Sequence, residues 1–123
     1  GSDLTIFATG IMVSHALQAS EVIEKKGFSV SIIDMHTIKP IDTEVIKKHF
    51  GSRLFVSIEE HNIIGGLGSA ISECKSTYSK SPKQLSLGVK DAYGKCGDYK
   101  YMLNKHGLVA EKIVDDVISN LEI

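Results

Sequence analysis

The sequence has little of what marks specialised proteins. It holds two cysteines, Cys74 and Cys96, in 123 residues. They form no CxxC pair, and no histidine sits at metal-ligand spacing from either, which excludes a disulfide scaffold and a cysteine-based zinc site. Reduced structural thiols in a cytoplasmic protein are expected. There is no block of one charge: the formal net charge is −1, with acidic and basic residues mixed along the chain. Neither a nucleic-acid footprint nor a basic membrane-surface helix is present. No apolar run approaches the roughly 18 residues of a spanning helix, and no secretory leader pattern is visible. Internal repeats and low-complexity segments are absent. Gly1-Ser2 reads as a cloning scar, which leaves residues 3–123 as one domain.

What is present is ordinary globular material, 42% hydrophobic and 24% charged, enough for one core. Asp3 to Thr9 is a short β-branched and aromatic run ending at Gly10, and predicts a buried strand. Met12, Val13, Ala16, Leu17, Ser20 and Ile23 recur at helical spacing, and Gly27 stops that helix. Phe28 to Met35 is a second apolar run. Pro40 interrupts the chain, and Asp42 can cap a helix starting at Thr43, with Val45, Ile46, His49 and Phe50 inward and Gly51 at its end. Leu54 to Ile58 predicts a third strand running into Glu59-Glu60-His61. A third helix carries Leu67, Ala70, Ile71, Cys74 and Tyr78 on one side. Gln84 to Val89 predicts a fourth strand, and Asp91 to Gly97 a polar loop. Tyr99, Met102 and Leu103 suggest a short helix. Ala110, Ile113, Val114, Val117, Ile118 and Leu121 line a last one. The order β-α-β-α-β-α-β-α-α predicts a three-layer α/β/α fold around a doubly wound, mainly parallel sheet of four to five strands.

In such a sheet, ligands bind beyond the carboxyl ends of the strands, near the point where strand order reverses. Glu59 to Gly66 is the richest of those ends. Carboxylates beside His61 can do acid–base work, and Gly65, Gly66 and Gly68 at a helix start can admit an anion to backbone N–H groups. The competing reading is that the glycines let the helix start close against the sheet. Adjacent Glu59 and Glu60 then point to opposite sides, one of them met by a neighbouring domain. The GxGxxG fingerprint fails at Ile71. Thr9-Gly10 is a second possible anion nest. Asp34 and His36 end the second strand, where they can pair with each other or with a partner surface. His15 and His49 lie on helices, and His106 precedes Gly107 at a helix end, where a cation suits the macrodipole. No Ser-His-Asp set follows from spacing.

Val56 to Ala70, read as Val-Ser-Ile-Glu-Glu-His-Asn-Ile-Ile-Gly-Gly-Leu-Gly-Ser-Ala, resembles the strand, Glu-Glu-His, Gly-Gly-x-Gly, helix signature of the transketolase C-terminal domain. Asp3 to Gly10 resembles that family's opening strand, Ile38 to Asp42 its Leu-Lys-Pro-Leu-Asp turn, and Asp91 to Gly97 with Leu103 to Leu108 its last strand end and following helix. The likeness is greatest to the C-terminal polypeptide of split bacterial transketolases. 1-Deoxyxylulose-5-phosphate synthase and the β subunits of 2-oxo acid dehydrogenases share the domain.

The resemblance implies an enzyme that moves two-carbon ketol units between sugar phosphates using thiamine diphosphate and Mg²⁺. Both would be held by N-terminal and middle domains, and no GDG…N metal motif occurs here. This domain is then expected to bind no cofactor and no metal, to be inactive alone, and to support a homodimer or split-subunit assembly. Glu60, His61, Asp34 and His36 become interface candidates, with His61 the one catalytic candidate. The alternative it implies is a partner-docking or anion- or nucleotide-binding regulatory module. The chain departs from the family in three ways. Val109 stands where a capping Ser or Thr is common, Cys96 where small polar residues are common, and the family's antiparallel strand before Asp3 is not seen in this sequence; were it absent from the protein, one sheet edge would be left open.

Overall fold

The computed structural model describes residues 3–10, 12–35, 42–62, 66–89 and 110–122. Four strands, β1 (Leu4–Ala8), β2 (Val30–Asp34), β3 (Leu54–Asn62) and β4 (Lys83–Val89), alternate with helices α1 (Met12–Lys25), α2 (Thr43–Lys48) and α3 (Leu67–Ser76), and α4 (Ala110–Leu121) follows. All strand pairs are parallel, in the order β2-β1-β3-β4. The fold is the α/β sheet that the alternation of elements predicted.

Strand parity sorts the side chains into two cores. Leu4, Ile6 and Ala8 of β1, with Leu54, Val56 and Ile58 of β3, face Met12, Ala16, Ala19 and Ile23 of α1 and Ile113, Val117 and Leu121 of α4. On the other face Phe7 and Phe55 pack with Ile46 of α2 and Leu67, Ile71 and Cys74 of α3. Phe7 and Phe55 meet edge to face at 5.0 Å between ring centroids, and Phe50 stands edge-on to Tyr78 at 5.0 Å. Each fully buried Leu, Ile or Phe contributes about 1.5–3 kcal/mol. Every residue of β1 is buried, as a central strand with helices on both faces must be.

The local signals operate as expected at several helix ends. The Asp42 carboxylate accepts the Val45 N–H at 3.1 Å and caps α2. Beyond α1, Gly27 adopts φ +98°, which a side chain would disfavour. Three details differ from the sequence reading. Leu17 is 51% exposed, because the stripe that packs runs through Met12, Ala16, Ala19 and Ile23, and Leu17 lies about 100° round the helix from Ala16. Tyr78 lies beyond the end of α3 and is 38% exposed. The third strand does not stop at Ile58 but continues through Glu59-Glu60-His61-Asn62. The short helix expected at Tyr99 to Leu103, the loop Asp91 to Gly97, and Cys96, His106 and Val109 lie outside the described residues.

Candidate functional site

The chain steps from β1 outward to β2, then returns to the other side of β1 to lay down β3 and β4. The order therefore reverses between β1 and β3. Their following connections start on opposite faces of the sheet, toward α1 on one and α3 on the other. This is the switch point at which α/β sheets open a crevice.

β3 overshoots its neighbour there. Its last residue in register with β1 is Ile58, opposite Ala8, and the Thr9 N–H donates to the Ile58 carbonyl at 3.3 Å. From Glu59 onward, β3 has a described neighbour on one side alone. That ladder also loses step: Ile58 pairs with Leu87 and Asn62 with Val89, so four steps along β3 match two along β4. A bulge of this kind re-aims the chain, and bulges favour sites. It falls on Glu59-Glu60-His61, which places Glu60 and His61 at the switch point. Asp34 ends β2 level with Ile58, with β1 between them, and is exposed. His36, Gly65 and the loop 63–65 lie outside the described residues.

Glu59 was not distinguishable from Glu60 as a functional residue in the sequence. It is fully buried. Its two carboxylate oxygens accept the N–H groups of Leu67 and Gly68 at 2.7 and 2.8 Å, the first-turn donors that an α-helix leaves unpaired. The expected binding of one glutamate by a neighbouring domain does not apply to Glu59, which is satisfied within this domain. Two of the amides at the start of α3 are taken by the chain's own carboxylate. One signal could have found this residue: Glu59 shares the parity of Phe55, which faces the helix that follows.

Gly68 serves the close approach of α3 to the sheet. A β-carbon there would lie 2.7 Å from Ser86 Oγ and 2.8 Å from Ser57 Oγ. Ser57 and Ser86 face each other across β3 and β4. Ser57 Oγ is buried and has no hydrogen-bond partner among the described residues. Gln84 of β4 completes the arrangement. Its Nε2 donates to the Gly68 carbonyl at 2.8 Å and to Ser86 Oγ at 3.1 Å, while its Oε1 accepts from Ser72 Oγ and Lys75 Nζ. Burial lowers the Lys75 pKa and raises that of the Cys74 thiol. His49 is engaged structurally, its Nδ1–H donating to the Val45 carbonyl at 2.8 Å and its ring edge-on to Phe7.

At the opposite end of the sheet, the Asp3 carboxylate accepts from the Ser29 N–H at 2.9 Å and from Arg53 at 3.4 Å. These contacts, the backbone N–H above all, hold its pKa below the usual value. Among the described residues, no cluster of three or more His, Cys, Asp or Glu could hold a metal ion, and no helix is long and apolar enough to cross a membrane.

The comparisons agree with this geometry. A putative transketolase C-terminal section from Methanocaldococcus jannaschii is 40% identical over 122 residues, 99% of this chain and 38% of that protein. The 6-deoxy-6-sulfo-D-fructose transketolase subunit SqwH of a Clostridium species is 40% identical over 93% of this chain and 35% of its own length. A 1-deoxy-D-xylulose-5-phosphate synthase of Chlorobium phaeovibrioides is 38% identical over 92% of this chain and 19% of its own. Among solved structures, a split-gene transketolase in the form of an inactive β4 tetramer superposes with a TM-score of 0.90 at 37% identity, over 99% of this chain and 40% of that one. The chain thus spans well under half the length of these relatives. With its strands, its Glu-Glu-His bulge and its glycine-started helix in place, and with residues 1–113 matching the transketolase C-terminal domain profile, the chain belongs to the transketolase C-terminal domain family.

Proposed function

We propose that this chain is the C-terminal domain of a thiamine-diphosphate-dependent transketolase, and that it completes the enzyme's assembly without itself carrying the chemistry. The full enzyme would transfer two-carbon ketol units between sugar phosphates in the cytoplasm, as a homodimer or a split-subunit complex with its N-terminal and middle domains. The observation that carries this reading is the bulge over Glu59–His61, which sets Glu60 and His61 beyond the last pairing with β1. The split-gene transketolase that the chain resembles at 37% identity supports the same reading.

The described residues do not fit the cofactor. A diphosphate needs donors such as the α3 N-terminal amides, and Glu59 already engages those of Leu67 and Gly68. We assign thiamine diphosphate and Mg²⁺ to the other domains of the full enzyme, where the cofactor would supply the carbanion chemistry.

The test is reconstitution. This domain is mixed with the separately expressed remainder of the enzyme, thiamine diphosphate, Mg²⁺, xylulose 5-phosphate and ribose 5-phosphate. Turnover that appears only with the domain present is the expected result, and a further loss with His61→Ala at unchanged assembly would move the Glu60–His61 segment from scaffold to active-site wall. A remainder equally active alone would defeat the reading. The similarity to 1-deoxy-D-xylulose-5-phosphate synthase favours a second reading, in which the remainder is of that type. Mass spectrometry of the product separates the two.

A further inference from the structure

The end of β3 is under-determined by the sheet. Past Ile58 it has lost β1, and its ladder with β4 is out of step until Asn62 meets Val89. A strand that has, among the described residues, a neighbour on one side alone and a slipped ladder there has a weakly specified register. Glu59 stands at the first residue of that stretch, and its side chain supplies a constraint that the backbone does not. Both oxygens grip α3 through Leu67 and Gly68. The helix they grip is itself seated tightly, because Gly68 rests against Ser57 and Ser86, and Gln84 binds the Gly68 carbonyl. Glu59, Gly68 and Gln84 thereby tie β3, α3 and β4 into one unit around the bulge.

We propose that Glu59 is a positioning residue for the assembled enzyme: its clamp on the start of α3 sets the register of the Glu60–Asn62 backbone, and so the face that this segment shows to the other domains. The proposal rests on the reading of Glu60–His61 as the point of contact. It goes beyond helix capping, because a cap needs only an acceptor at the helix, whereas this role needs the acceptor to be tethered to the strand.

Three variants test it. Glu59→Gln keeps the size of the side chain but leaves one oxygen to accept, and turns an NH₂ group toward the second amide. Gly68→Ala loosens the seat of α3 while leaving the carboxylate untouched. Glu59→Asp keeps both oxygens on a tether one methylene shorter. Two readouts are taken under conditions where each variant is folded: amide hydrogen exchange at residues 60–62 relative to β1, and the affinity of the domain for the separately expressed remainder. Glu59→Gln is expected to speed exchange at 60–62 and weaken association, each by about tenfold, the loss typical of a charge-assisted hydrogen bond. Gly68→Ala is expected to lower the melting temperature without selective exchange at 60–62. Should Glu59→Gln not fold, Glu59→Asp decides, by displaced 60–62 amide resonances in a folded domain. Exchange at 60–62 that rises no more in the Glu59 variants than in Gly68→Ala overturns the proposal. If the wild-type domain does not associate with the remainder, the assembly reading fails instead, while the exchange measurement still decides whether the clamp sets the strand.

Discussion

Gly68 lies against Ser57 so closely that a β-carbon on the glycine would stand 2.8 Å from the serine hydroxyl. In the first turn of α3, alanine is intrinsically better than glycine by up to about 1 kcal/mol. Here the contact outweighs it, because two strand side chains, Ser57 and Ser86, bar the way. Gly68→Ala is expected to destabilise the domain by about 1–3 kcal/mol, the usual range for overpacking. Because Ser57 Oγ has no partner among the described residues, Ser57→Ala should cost nothing alone and should recover part of the Gly68→Ala loss. Urea denaturation of the two single variants and the double variant measures this coupling.

The cap on α2 is a separate test. The helix is six residues long, and Asp42 holds the Val45 N–H. Asp42→Ala should cost about 1 kcal/mol, while Asp42→Asn should keep most of the stability. Equal melting temperatures for wild type and Asp42→Ala would show that the cap contributes nothing.

Arg53 ties the end of α4 to the start of β3. Its Nη2 donates to the Leu121 carbonyl at 2.7 Å, where the negative end of the helix favours a cation. The contact with Asp3 is longer and half-exposed, and adds little. Arg53→Ala is expected to destabilise by about 1 kcal/mol and to speed amide exchange in the last turn of α4, leaving α1 unchanged.

Asp3 makes stability depend on acidity. Its folded pKa is depressed, chiefly by the Ser29 N–H. The stabilisation is therefore complete above the unfolded value near about pH 4, and disappears as pH falls through the lower folded value. Wild type should melt above Asp3→Asn at pH 7, and the difference should shrink as pH falls below about 4. A gap that stays constant as the pH falls below about 4 would contradict the assignment.

Much of the fold was legible in the residues. Apolar runs marked the four strands, and spacing marked α1, α3 and α4, because burial on both sheet faces leaves little room for polar residues in the strands. Asp42 announced its cap. The length of β3 was not legible, since its last four residues are Glu-Glu-His-Asn and carry no apolar pattern. The strand order was equally hidden, because it depends on pairings between distant segments. Glu59 and Glu60 look alike in sequence. Parity separates them only once Phe55 is known to face α3, and the bulge then ends the parity rule at the residue where it would help most.

β1 is the central strand, and both of its partners come later in the chain, first Val30–Asp34 and then Leu54–Ile58. During synthesis, a largely apolar strand therefore leaves the ribosome with neither flank covered. One flank stays open until Ile58 has emerged, and a nascent chain halted before that point presents a bare hydrogen-bonding edge that chaperones or other chains can seize.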